Sequence, residues 1–253
     1  MKKTALFPLM AIILVVFSLS SCKKGEEDPF ISLRSRKARL TATWNLKEGQ
    51  WTQTTYDNKK VGENLGSLFG LNHFMNQIRK NKGDTYSVIY TYTNGKLHIT
   101  ERDTYDDGTT EETNYDIDEF QITMVFNNDY TFRINTYAKY SDDNYTRENW
   151  EVNRGTWSFL QKNEKAKNKE RVLLELASKY TKDKYSYGNY SHIEEDSTLY
   201  EGSGIDINKP MYILDLTRLA SKELKIKLDY KKTEMDKDYY ELTGYMQFEK
   251  QKK

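Results

Sequence analysis

An all-β fold is what this sequence predicts, an antiparallel up-and-down barrel with one short helical insertion, and three observations predict it. Apolar and polar residues alternate in many short runs, as they do in strands with one buried face. Turn residues punctuate those runs at close intervals. No segment holds a helical period long enough for the crossovers of a parallel sheet. Tyrosine occurs 20 times in 253 residues against three prolines, a balance suited to pleated, half-buried surfaces. Charged residues reach 30%, yet aromatics at period two argue against disorder.

An export segment precedes the barrel. Lys2 and Lys3 form a positive start, Ala5 to Phe17 are apolar apart from Pro8, and Leu19-Ser20-Ser21 lead to Cys22, the sole cysteine. A spanning helix needs about 20 apolar residues, so residues 1–21 read as a signal peptide. The pattern resembles a bacterial lipoprotein signal, which implies that Cys22 is acylated and becomes the first residue. No thiol is then left for a disulfide, a zinc cluster or a nucleophile. Residues 22–39 read as a polar tether that joins the lipid to the domain. Glu26-Glu27-Asp28 resembles the surface-export signals of some outer-membrane lipoproteins, which implies display on the cell exterior. Arg34, Arg36, Lys37 and Arg39 form a basic patch suited to anionic headgroups or to solvent.

The domain is read as 40–253. Leu40, Ala42, Trp44 and Leu46 alternate as the first strand. Leu65, Leu68, Phe69, Asn72, Met75 and Ile78 fall near helical spacing and predict a short amphipathic helix, a lid or a piece of the barrel wall. Tyr86 to Tyr92 and Leu97 to Ile99 flank Asn94-Gly95, a strong hairpin signal. Phe120 to Phe126 and Tyr130 to Ile134 flank a further turn, and Asn153-Arg154-Gly155 reads as another. Lys179 to Lys209 shows little periodicity, carries five tyrosines and reads as a long insertion. Three clean alternations, from Tyr212, Leu224 and Tyr240, close the chain. Nine to eleven strands in meander order are expected.

These residues resemble lipocalins, in particular the lipocalin-like lipoproteins of Gram-negative bacteria. Lipocalins carry Gly-x-Trp on the first strand, with Trp across the closed end. Ala42-Thr43-Trp44 stands in that place, and Gly155-Thr156-Trp157 matches the motif later. The resemblance implies that Trp44 and Trp157 close the barrel. It also implies an interior site for a small apolar or amphipathic molecule, for which Tyr86, Tyr90, Phe132 and Tyr212 are the inward candidates. The tyrosine-rich insertion, with Tyr185, Tyr187 and Tyr190, offers an alternative contact for a protein or glycan.

Catalytic chemistry finds little support. His73, His98 and His192 are far apart, without metal-ligand spacing. Asp103, Asp106, Asp107 and Gly108 read as a turn rather than a calcium loop, and Glu201-Gly202-Ser203-Gly204 lacks the context of a nucleophile elbow. No phosphate-cradling loop occurs. Removing Lys2 and Lys3 turns the formal charge of +1 into −1, so no basic excess calls for nucleic acid. The expectation is a non-enzymatic binding protein without metal or cofactor, held at the outer membrane by its lipid.

Overall fold

The computed structural model describes residues 35–56, 65–70, 85–161, 170–200, 210–234 and 237–252. Cys22, Arg34, Asn72, His73, Met75, Ile78 and the 201–204 segment lie outside the described residues. Twelve strands follow one another: β1 (Thr43–Tyr56), β2 (Thr85–Thr93), β3 (Lys96–Thr104), β4 (Thr110–Ile117), β5 (Glu119–Phe126), β6 (Thr131–Asp142), β7 (Tyr145–Phe159), β8 (Glu170–Tyr187), β9 (Tyr190–Leu199), β10 (Met211–Leu219), β11 (Glu223–Glu234) and β12 (Lys237–Lys250). All ladders are antiparallel, and β12 pairs with β1 to close the sheet. The closed ring has eight strands, consistent with the lipocalin-like fold implied by the sequence.

Two strands of the ring change partners along their length, and this shapes the molecule. Thr43–Asn45 of β1 pairs with β5, whereas Glu48–Tyr56 pairs with β2. Glu170–Glu175 of β8 pairs with β10, whereas Ser178–Tyr187 pairs with β9. The ring is therefore complete at one end, the floor. Toward the other end, the mouth, a β2–β3–β4 meander and the β8–β9 hairpin extend the wall.

Local chemistry fixes these elements. Asn94 and Gly95 both hold positive φ (52° and 83°) in the turn between β2 and β3, as the sequence predicts. A bulge between Leu46 and Glu48 switches the buried parity of β1, from Trp44 and Leu46 to Gly49, Trp51, Gln53 and Thr55. A second bulge, at Ala177 of β8, presses that strand onto Gly155, where an added Cβ would sit 1.9 Å from the Glu175 carbonyl oxygen. Glycine is obligatory there because the neighbouring backbone fills the space.

The floor is sealed by a helical turn, Arg36–Leu40, whose cap Ser35 accepts a hydrogen bond from the Ala38 amide at 3.2 Å. Leu40 and Trp44 are fully buried, and the Trp44 indole donates to the Leu40 carbonyl at 2.8 Å. Trp157 packs edge-on against Phe126 and Phe159, with Tyr130 tilted beside it. Of the basic residues, Arg36, Lys37 and Arg39 are drawn into this seal rather than forming an open patch. Arg36 pairs with buried Glu170 at 2.7 Å and lies over the Phe159 ring. Lys37 lies 3.7 Å above the Tyr130 ring, and Arg39 donates to the Leu219 carbonyl. Among the described residues, Ser35 to Arg39 of the segment read as tether thus pack against the floor of the barrel.

Three other expectations are corrected. Asn153-Arg154-Gly155 is no turn but the middle of β7, because β6 and β8 pair with it on both sides. Of the segment 179–209, the described residues 179–200 are not an aperiodic insertion: they continue β8 to Tyr187 and return as β9. Its polar alternation concealed strands whose outer parts bury little. The described residues form twelve strands rather than nine to eleven, since β9 and the exposed β4 carry no apolar rhythm for the sequence to show.

Candidate functional site

The inner wall of the mouth is polar on one side and aromatic on the other. On β7 the inward parity set by Gly155 and Trp157 runs back through Asn153, Glu151, Asn149 and Arg147, all buried. Across the ladder stand Lys179 opposite Asn153, Asp183 opposite Asn149, and Tyr185 opposite Arg147. One Asp183 oxygen accepts from Arg147 (3.0 Å from Nη2) and from the Asn149 amide (3.1 Å). Lys179 pairs with Glu151 at 3.1 Å. Each buried carboxylate thus faces a cation, which offsets part of the expense of removing both from water.

A short turn of the chain sits on this stripe. Leu65–Leu68 is helical, and Leu68, Phe69 and Gly70 are buried. Asn153 Nδ2 donates to the Leu68 carbonyl at 2.9 Å and to Glu151 at 2.7 Å, and the Thr136 hydroxyl donates to the Phe69 carbonyl at 3.1 Å. The described part of the helical insertion, residues 65–70, is therefore anchored by its backbone inside the mouth. Among the described residues, the Oδ1 atoms of Asn149 and Asn153 have no hydrogen-bond partner.

The opposite wall comes from β1, β2 and β12. Trp51 stacks on Tyr90 with ring centroids 5.3 Å apart, and the Tyr90 hydroxyl donates to Gln53 at 3.3 Å. Burial pushes the Tyr90 and Tyr240 hydroxyls well above the ordinary tyrosine pKa. Tyr115 is raised by burial first, then by its 2.7 Å hydrogen bond to Glu101. These phenols remain neutral, and those of Tyr90 and Tyr115 donate. The Trp51 indole N–H is buried without an acceptor among the described residues.

The sequence-read candidates divide between two places. Tyr86, Tyr90, Phe132 and Tyr212 lie in one buried core with Trp44 and Trp157. The structure places Tyr86 and Tyr90 on the aromatic wall, and Phe132 beside Gly155 further down. Tyr185 flanks Arg147 at 5.1 Å, while Tyr187 and Tyr190 are each 65% exposed at the hairpin tip. His98 is half-exposed and bonded to Asp116, and His192 contacts Glu194 at 3.2 Å, so the two histidines are not brought together. Sequence reasoning missed the stripe on β7 and missed Trp51. For the stripe a signal existed: extending the Gly155/Trp157 parity backward selects Asn153, Glu151, Asn149 and Arg147. For Trp51 none did, because the bulge inverts the parity begun at Trp44.

No family, curated protein or solved structure matches the chain. Fold and site geometry alone define a closed β-barrel with a partly polar, plugged mouth.

Proposed function

We propose that the protein is a lipocalin-like, non-enzymatic binding protein, anchored at the outer membrane through lipid on Cys22, that takes a small amphipathic molecule at its mouth. The supporting observation is the set of buried, unpartnered polar atoms, Asn149 Oδ1 and Asn153 Oδ1 on the polar wall and Trp51 Nε1 on the aromatic wall that faces it. Such atoms cost about 1–3 kcal/mol each when left unsatisfied, which a ligand offering a donor and an acceptor would relieve. Large buried side chains, among them Trp44, Phe126, Phe132 and Trp157, crowd the floor half and leave little room there for a long acyl chain. Titration with an environment-sensitive amphipathic dye tests this reading. Binding should weaken about tenfold in Asn153→Leu, and a long-chain fatty acid should not compete. Absence of dye binding, or tight fatty-acid binding, would reject it.

The exposed tip favours a second reading, in which the hairpin presents Tyr185, Tyr187 and Tyr190 to a protein or glycan. Two tyrosines at 65% exposure are an uncommon expenditure of apolar surface on a soluble face.

A further inference from the structure

We propose that β9 is an open docking edge that accepts an extended, basic polypeptide segment as an added strand, an inference that rests on the hairpin being a contact surface. Among the described residues β9 pairs with β8 alone, and every residue from Tyr190 to Leu199 is exposed. Edge strands are ordinarily guarded by charged side chains, lysine above all, by proline or by a bulge, because their free backbone groups template further pairing; on β9 the charges are all carboxylates, which repel a like strand and not a basic one. β9, with the sequence Tyr-Ser-His-Ile-Glu-Glu-Asp-Ser-Thr-Leu, contains neither lysine nor proline, and its ladder to β8 runs without a register shift. The other outer strand, β4, is less open, since Tyr115 is half-buried and Ile117 is buried.

Ladder geometry identifies the free backbone groups. Gly188 and Asn189 form a two-residue turn, so the closing pair Tyr187–Tyr190 is a hydrogen-bonded pair. Even-numbered residues of β9 therefore direct their N–H and C=O toward β8. The Tyr200 amide continues that parity by donating to the Ala177 carbonyl at 2.9 Å. Ser191, Ile193, Glu195, Ser197 and Leu199 direct theirs outward.

Charge selects the occupant. β9 carries Glu194, Glu195 and Asp196 and no Lys or Arg. Glu195 is paired with Lys182 at 2.7 Å across the ladder, which leaves Glu194 and Asp196 on the other face beside His192. A second copy of β9 added antiparallel about this run would set carboxylate against carboxylate, which disfavours self-pairing. A strand with Lys or Arg at alternate positions meets Glu194 and Asp196 on one face. Its intervening apolar residues meet Ile193 and Leu199, 50% and 69% exposed, on the other.

The test uses the mature lipidated chain in detergent and a labelled peptide alternating valine with lysine, against a valine–glutamate control. The lysine peptide should bind, and the outward amides of Ile193, Glu195 and Ser197 should gain hydrogen-exchange protection. Ile193→Pro and Ser197→Pro each remove an N–H that β8 does not use, and each should weaken binding about tenfold or more. Retained protection of the His192 and Asp196 amides reports that the hairpin is still folded. Glu194→Lys combined with Asp196→Lys should transfer the preference to the glutamate peptide, an arm that stands even where a proline disrupts the hairpin. Binding that survives both prolines in a folded hairpin overturns strand addition, yet leaves contact through tyrosine side chains standing. Failure of the lysine peptide to bind or to protect these amides overturns it as well.

Discussion

Trp44 is one of the largest fully buried side chains, and it sits in the floor. It is fully buried under Leu40 and hydrogen-bonded to it, so Trp44→Ala leaves both a large cavity and an orphaned carbonyl. The expected loss is about 3–5 kcal/mol, read as a shift of the urea midpoint at unchanged m-value; a shift near zero would contradict the sealing role. Trp44 was legible because large residues at period two near the start of a strand point to a packed face. The basic residues before it were not, because sequence distinguishes neither a cation over a ring from a solvated one nor the Glu170 partner far along the chain. The neutral phenols give a second expectation at this scale. Tyr90, Tyr115 and Tyr240 have folded-state pKa values above the ordinary value near 10, so the unfolded chain ionises first. Their contribution to stability is complete below about pH 10 and is lost as pH rises beyond it. Phenolate absorbance should therefore appear for these rings only together with loss of near-ultraviolet circular dichroism. Early, reversible ionisation of all 20 tyrosines would contradict their burial.

At the scale of elements, the bulges decide what faces inward, and bulges leave little trace in composition. Lys47 and Ala177 are ordinary residues, yet the shifts beside them turn Trp51 into the mouth and fix Gly155 against β8. Strands with apolar alternation, such as β5, β10 and β12, were readable; β7 was misread at Asn153-Arg154-Gly155 because a polar inner face imitates a turn. That inner face predicts an asymmetry between single and double substitutions. Asp183→Ala strands the buried Arg147 guanidinium and should destabilise by about 3–5 kcal/mol. Replacing both, Arg147→Met with Asp183→Leu, should recover most of that loss, since the uncompensated charge is gone. Chemical denaturation of the three variants checks it; an equally unstable double variant would mean that the pair is fixed by its wider network and not by charge compensation.

For the whole molecule, the place where the chain enters the barrel sets an orientation. Ser35 and Arg36 sit at the floor, so a lipid on Cys22 would tether the floor side, with residues 23–34 reaching at most about 40 Å when fully extended. β8 runs from the floor at Glu170 to the hairpin tip at Tyr187. At about 3.3 Å per residue and the usual barrel tilt, the tip stands roughly 40 Å above the floor. The mouth and the acidic edge of β9 would then face away from the bilayer, where a soluble ligand or an extended segment can reach them. Acylation of Cys22 would consume the only native thiol, so a single introduced cysteine would give a unique label. A fluorophore on Lys222→Cys, in the exposed β10–β11 turn at the floor, should be quenched strongly by headgroup quenchers in vesicles carrying the lipidated protein. The same fluorophore on Asn189→Cys, at the hairpin tip, should be quenched little. Equal quenching at the two positions would show that the barrel lies on its side, and the Cys22→Ser chain should lose membrane-dependent quenching at both.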